Sequence, residues 1–130
     1  MMYNEVVEHC FFHPQHVGVL DLDDPLVVRY TVEQQKPKVI IELYIQCQVS
    51  GFISRICFKA SGSPFVIAAL EWLCRNTEGT HLMQQKTIDY QTLINVLEIP
   101  LSQYPVALLV EDVYQESLKL MQQKLERYES

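Results

Sequence analysis

The residues with the most chemistry in this chain are four histidines and four cysteines, and three of the histidines fall together near the start. His9 and His13 stand four apart, so a helix would put both imidazoles on one face, a workable pair for zinc or nickel. Cys10 lies beside them, and His16 follows just beyond Pro14. A structural zinc site wants four converging ligands, and no distant residue obviously supplies the rest. The preferred reading is that Cys10 packs inward while His13 and His16 are solvated. His9, Cys10 and His13 stay as metal candidates. Cys47, Cys57 and Cys74 would be nucleophiles only with a neighbouring base and a lowered pKa. No motif places a histidine beside them, so they read as small buried hydrophobes. Ser63 has no G-x-S-x-G frame because Pro64 follows it. The pair reads instead as a helix start, with Ser63 as N-cap and Pro64 in the first turn. Asp21, Asp23 and Asp24 lack the glycine and distal glutamate of a calcium loop, and read as a solvated turn.

These residues must be carried by elements, and the elements are legible. Asn4 is a plausible N-cap for a short helix whose apolar face is Val6, Val7 and Cys10, ended by Pro14. Residues 26–32 alternate around Val28, Tyr30 and Val32. Residues 39–49 alternate with a period of two, Val39, Ile41, Leu43, Ile45, Cys47 and Val49 on one side, which means one buried face and one mixed. The link at 33–38 is polar and broken by Pro37. Ser50-Gly51 signals a hairpin, and a third strand over 52–60 would put Phe52, Ser54, Ile56 and Phe58 on one face. A helix then runs from Phe65 to about Asn76, a shorter one from about Ile88 to Leu97, and a long one opens at Pro105. The last carries a stripe of Val110, Val113, Tyr114, Leu118, Met121, Leu125 and Tyr128 at steps of three and four. The simplest topology is a three-stranded antiparallel meander with helices packed on one face, an α+β arrangement.

Composition bounds the rest. The chain has 130 residues, which predicts one domain spanning 1–130. Its hydrophobic fraction of 48% and charged fraction of 20% exclude a disordered chain. The net charge is −6, with no Lys/Arg cluster, which argues against nucleic acid as a partner. No apolar run approaches the ~20 residues of a membrane span, so no membrane association is expected. The opening Met1-Met2-Tyr3-Asn4-Glu5 has neither a basic flank nor an apolar run, so no secretory signal is expected. The cysteines form no CxxC pair. The expectation is a cytoplasmic protein with reduced thiols.

Taken in order, the motifs resemble the iron–sulfur cluster scaffold family, IscU and the N-terminal domain of NifU. The segment Tyr3-Asn4-Glu5-Val6-Val7-Glu8-His9 through Pro14 to Val17-Gly18 is similar to that family's opening. So are the hairpin at Gly51, the strand ending Phe58-Lys59, Gly62 before a helix with Ile67-Ala68, then Glu98-Ile99-Pro100 and Leu109-Val110-Glu111-Asp112. The resemblance runs from Tyr3 to about Arg127. It implies an IscU/NifU-N-like fold and a cluster site of three cysteines and an aspartate, since thiolates hold such clusters. Those positions fall at Pro37, Ser63 and Val106, with Val39 where the aspartate would stand. The resemblance also implies a chaperone-recognition segment, which falls at residues 99–103. There Ile99 and Pro100 keep the pattern and Gln103 replaces the lysine, which leaves Ile99, Pro100 and Gln103 as partner-binding candidates.

The expectation is an IscU/NifU-like protein without the cluster ligands: not an enzyme, with no cofactor and no metal, acting as a protein-binding module. The resemblance implies a cysteine desulfurase or another iron–sulfur assembly component as its partner. Two alternatives stay open. One is an active scaffold or metal-binding protein with non-standard ligands such as Cys10 with His13. The other is a small thiol enzyme using Cys74 or Cys57.

Overall fold

The computed structural model describes residues 3–84 and 88–129. The elements run α1 (Glu5–Phe12), β1 (Val27–Gln35), β2 (Lys38–Cys47), β3 (Ile53–Ser61), α2 (Pro64–Thr77), α3 (Tyr90–Leu97) and α4 (Tyr104–Glu129), with 3-10 turns at Leu82–Gln84 and Leu101–Gln103. The strands form one antiparallel sheet in the order β1-β2-β3, the meander expected from the alternation.

Local chemistry starts and stops most elements where the sequence places them. The Asn4 side-chain oxygen accepts the Val7 amide at 2.9 Å, and its amide nitrogen donates to the Val96 carbonyl at 2.9 Å. One residue thus caps α1 and ties it to α3. Asp89 caps α3 by accepting the Thr92 amide at 2.9 Å, and these hydrogen bonds hold its carboxyl below the usual range. Gly51 has φ +95, and a Cβ there would meet the His81 ring at 2.9 Å. Both facts restrict that turn to glycine.

The buried face of β2 is the predicted one from Val39 through Ile41, Leu43 and Ile45 to Cys47, all in the main core, but the strand ends there and Val49, expected on the same face, is 45% exposed. Helices α2 and α4 supply Phe65, Val66, Ala69, Leu70 and Leu73, and Val106, Val110, Val113, Tyr114 and Met121. Each fully buried aliphatic side chain contributes about 1.5–3 kcal/mol. Tyr128, the last residue of the α4 stripe, has run past the sheet and is exposed. The opposite face of the sheet is not bare. Leu20, Val27, Tyr44 and Cys57 form a second small cluster there.

Three local expectations are corrected. The link at 33–38 is not a loop, because β1 runs to Gln35 and β2 starts at Lys38, leaving a tight turn at Lys36-Pro37. The phase of β3 slips at its start. Gln46 pairs with Arg55 but Cys47 pairs with Ile53, so one extra residue turns Ile53 into the core and leaves Phe52 37% exposed. Asp24 is more than a solvated turn residue: it accepts the Leu26 amide and the Gln46 side chain, both at 2.9 Å.

Candidate functional site

The hairpin turn carrying Pro37, the end of β3, the start of α2 and the approach to α4 lie at one end of the sheet. The register sets this, since Ile40 pairs with Ser61 just before α2 begins. The four positions that the resemblance assigns to ligands therefore belong to one neighbourhood. Pro37 is exposed at the turn. Val39 is 2% exposed and Val106 4% exposed, both within the main core. Gly62 sits so close to this packing that a Cβ would meet Val66 at 2.8 Å and Val39 at 3.4 Å.

Ser63 occupies the N-cap position of α2 but makes no side-chain cap. Its hydroxyl donates instead to Gln103 Oε1 at 3.0 Å, so the expected capping role is corrected. That bond joins the second ligand position to the end of the 99–103 segment and fastens α2 to the entrance of α4. Within the segment Ile99 is buried, Pro100 half-buried and Gln103 held by Ser63. Leu101, at 77%, and Ser102 are the exposed residues. A proline and two valines offer no donor atom, and a neutral hydroxyl already bonded is a poor ligand for a soft metal. The residues at this end do not fit an iron–sulfur cluster.

The histidine cluster divides. His9 and His13 do share a face of α1, with ring centroids 5.4 Å apart. Cys10 points the other way, into the core. The Arg75 guanidinium lies against the pair, with Nη1 2.7 Å from His9 Nδ1 and Nη2 donating to the His13 carbonyl at 2.8 Å. Arginine only donates, so the His9 Nδ1 lone pair is taken and a positive charge stands where a cation would go. Among the described residues, no group of three or more His, Cys, Asp or Glu side chains is arranged to hold a metal ion.

The hub that organises this region is a residue that the motifs above do not include. Glu71, on α2, is fully buried. Its Oε1 accepts the Gln15 and His16 amides at 2.9 Å each, and its Oε2 accepts His16 Nδ1 and Arg75 Nε at 2.7 Å each. Burial works against the Glu71 charge, but the hydrogen bonds from His16 and Arg75 and the charge on His16 outweigh it and hold its pKa below 4.5. His16 is therefore a structural partner and not a solvated residue. Its Nε2 faces Glu78 at 3.3 Å, beside a polar pocket of about 360 Å3 lined by Gln15, Val17, Arg55, Cys57 and Glu78. The one readable signal was the Glu71, Arg75 spacing of four on a helix.

All four thiols are free and buried. Desolvation raises each pKa, that of Cys47 to about 11 and that of Cys74 well above the ordinary thiol value. Such thiols are inert at neutral pH.

Comparison with known proteins agrees with this architecture. A family model described as NifU-like N terminal domain matches residues 2–127. A crystal structure of a nitrogen-fixing NifU-like protein (N-terminal) from Brucella abortus superposes with a TM-score of 0.66 at 11% identity, over 93% of this chain and 94% of that one. A crystal structure of a hypothetical protein gives a TM-score of 0.64 at 17% identity, over 88% of this chain and 94% of that one. No curated protein matches in sequence. The match spans nearly all of the chain and the sheet and helices follow the same plan: this chain belongs to the NifU-like N-terminal domain family.

Proposed function

We propose that this protein is a NifU-like domain that does not build a cluster and acts by binding another protein. The family is related to iron–sulfur cluster assembly scaffolds. The observation that supports the finer reading is the packing at the ligand positions: Val39 and Val106 are in the core and the Ser63 hydroxyl is bound to Gln103. Docking uses surface and not ligands. The same end of the sheet keeps an exposed Leu101 on the way into α4 and an exposed Leu108 one turn inside it. On this reading the protein carries out no reaction of its own. Its partner is a cysteine desulfurase or another assembly component, and it works in the cytoplasm, where four free thiols stay reduced.

Reconstitution with ferrous iron and sulfide under reducing conditions tests the first half. The expected product is colourless protein with no stoichiometric iron or zinc, and a brown cluster would instead make it a working scaffold with other ligands. The combined change Pro37→Cys, Val39→Asp, Ser63→Cys and Val106→Cys is expected to confer zinc affinity, measured by a competing chelator. A folded variant without affinity would mean that these positions do not converge as the family's do. Sedimentation of the unmodified protein with a purified cysteine desulfurase tests the partner, with a faster-moving complex expected.

A further inference from the structure

The two edges of the sheet are treated differently. On β3 the outward groups in the middle of the strand are covered: Phe58 donates to the His16 carbonyl at 2.9 Å and accepts the Gly18 amide at 2.8 Å, and the Ile56 amide donates to Glu78 Oε2 at 3.2 Å. On β1 they are not. The Leu26 carbonyl accepts from Cys47, so alternation turns Val28, Tyr30, Val32 and Gln34 toward β2 and Arg29, Thr31 and Glu33 outward. Among the described residues no hydrogen bond reaches the outward amides or carbonyls of these three. The edge carries no proline, bulge or lysine within Val27–Gln35, the devices that natural edges use against pairing.

We propose that the β1 edge is a self-association surface, which pairs antiparallel with β1 of a second copy to give a continuous six-stranded sheet. Charge and register favour a second copy as the occupant. A two-fold axis at Thr31 sets Thr31 against its equivalent and Arg29 against Glu33 of the other chain, twice. All three residues have outward groups, so each of these is a hydrogen-bonded pair. Between them Tyr30 faces Val32 of the other chain, an aromatic and β-branched pairing that favours sheets. The Arg29 and Glu33 side chains are exposed; Arg29 Nη1 lies 3.8 Å from Glu42 Oε1, and Glu33 Oε1 accepts Gln35 Nε2 at 2.9 Å. A cleft of about 290 Å3 between Val28 and Arg29 on one side and Leu120 and Lys124 on the other leaves space at that edge. The contact is isologous. One strand per copy buries an area at the small end of specific interfaces, so the dimer is concentration-dependent. This inference stands apart from the partner reading above.

Sedimentation velocity over a concentration series is expected to carry the chain from 15.2 kDa to a species of twice that mass. Arg29→Glu and Glu33→Arg each reverse two cross-strand pairs, so each alone is expected to weaken association about tenfold. An equal mixture of those two variants is expected to regain the dimer, because each chain then carries charges opposite to the other's. Thr31→Pro removes only an outward N–H and is expected to leave a folded monomer. A chain that stays monomeric up to its solubility limit would overturn the proposal. So would a dimer indifferent to Thr31→Pro, or folded charge variants whose mixture fails to associate.

Discussion

Glu71 shows how much a single residue can organise. It fixes the 15–16 turn to α2 through two amides, an imidazole and a guanidinium, with nothing left over on its oxygens. Glu71→Ala is expected to cost about 3–5 kcal/mol in denaturant unfolding, because it leaves buried donors and the Arg75 charge without their acceptor. The same carboxyl predicts an acid limit. Its pKa is lowered on folding, so its stabilisation is complete above the unfolded value of 4.5 and is lost as pH falls through the folded value below it. Unfolding midpoints measured from neutral pH downward are expected to fall in that window for the unmodified protein, and less steeply for Glu71→Gln. Only the Arg75 partner, four positions on along the helix, was readable beforehand. A lone acid inside an apolar helix face carries no further pattern, and its other partners, His16 and Gln15, stand 55 and 56 positions away.

The elements themselves were legible because period dominates them. Steps of three and four on α4 and steps of two on β2 are set by burial on one side, and the structure buries those sides. Val113 lies mid-stripe, and Val113→Asp is expected to cost several kcal/mol by burying an unpaired carboxylate. A thermal midpoint within a few degrees of the unmodified protein would show that this face is not core. What failed was local. The start of β3 slipped because a bulge costs one residue and leaves no compositional mark. The link at 33–38 looked like a loop because its polar residues, on an edge strand and a turn, had no core to face. Ser63 looked like a cap because position and residue type agreed, and only the fold could show that Gln103 takes its hydroxyl.

For the molecule as a whole, every cysteine is buried: Cys10, Cys47 and Cys74 lie in the core between the helices and one sheet face, and Cys57 lies in the small cluster on the other face. Thiol labelling at neutral pH is therefore expected to follow unfolding, with all four sites protected in the native state and released together in denaturant. One thiol reacting quickly in the folded protein would revive the reading as a thiol enzyme. The order of the motifs along the chain was enough to anticipate this layering. The second cluster behind the sheet was not visible, since Leu20 and Val27 meet Tyr44 and Cys57 only after folding. The bond from Asn4 to Val96 has a consequence for synthesis. It spans 92 positions, so a nascent chain leaving the ribosome exposes α1 first and completes its anchorage only after α3 has emerged. Until then the Val7 and Cys10 face depends on α2 alone. Helix α1, made before the sheet and the other helices described, is the one whose docking is finished late, and stalled chains that end before Val96 are expected to lose it earliest to a protease.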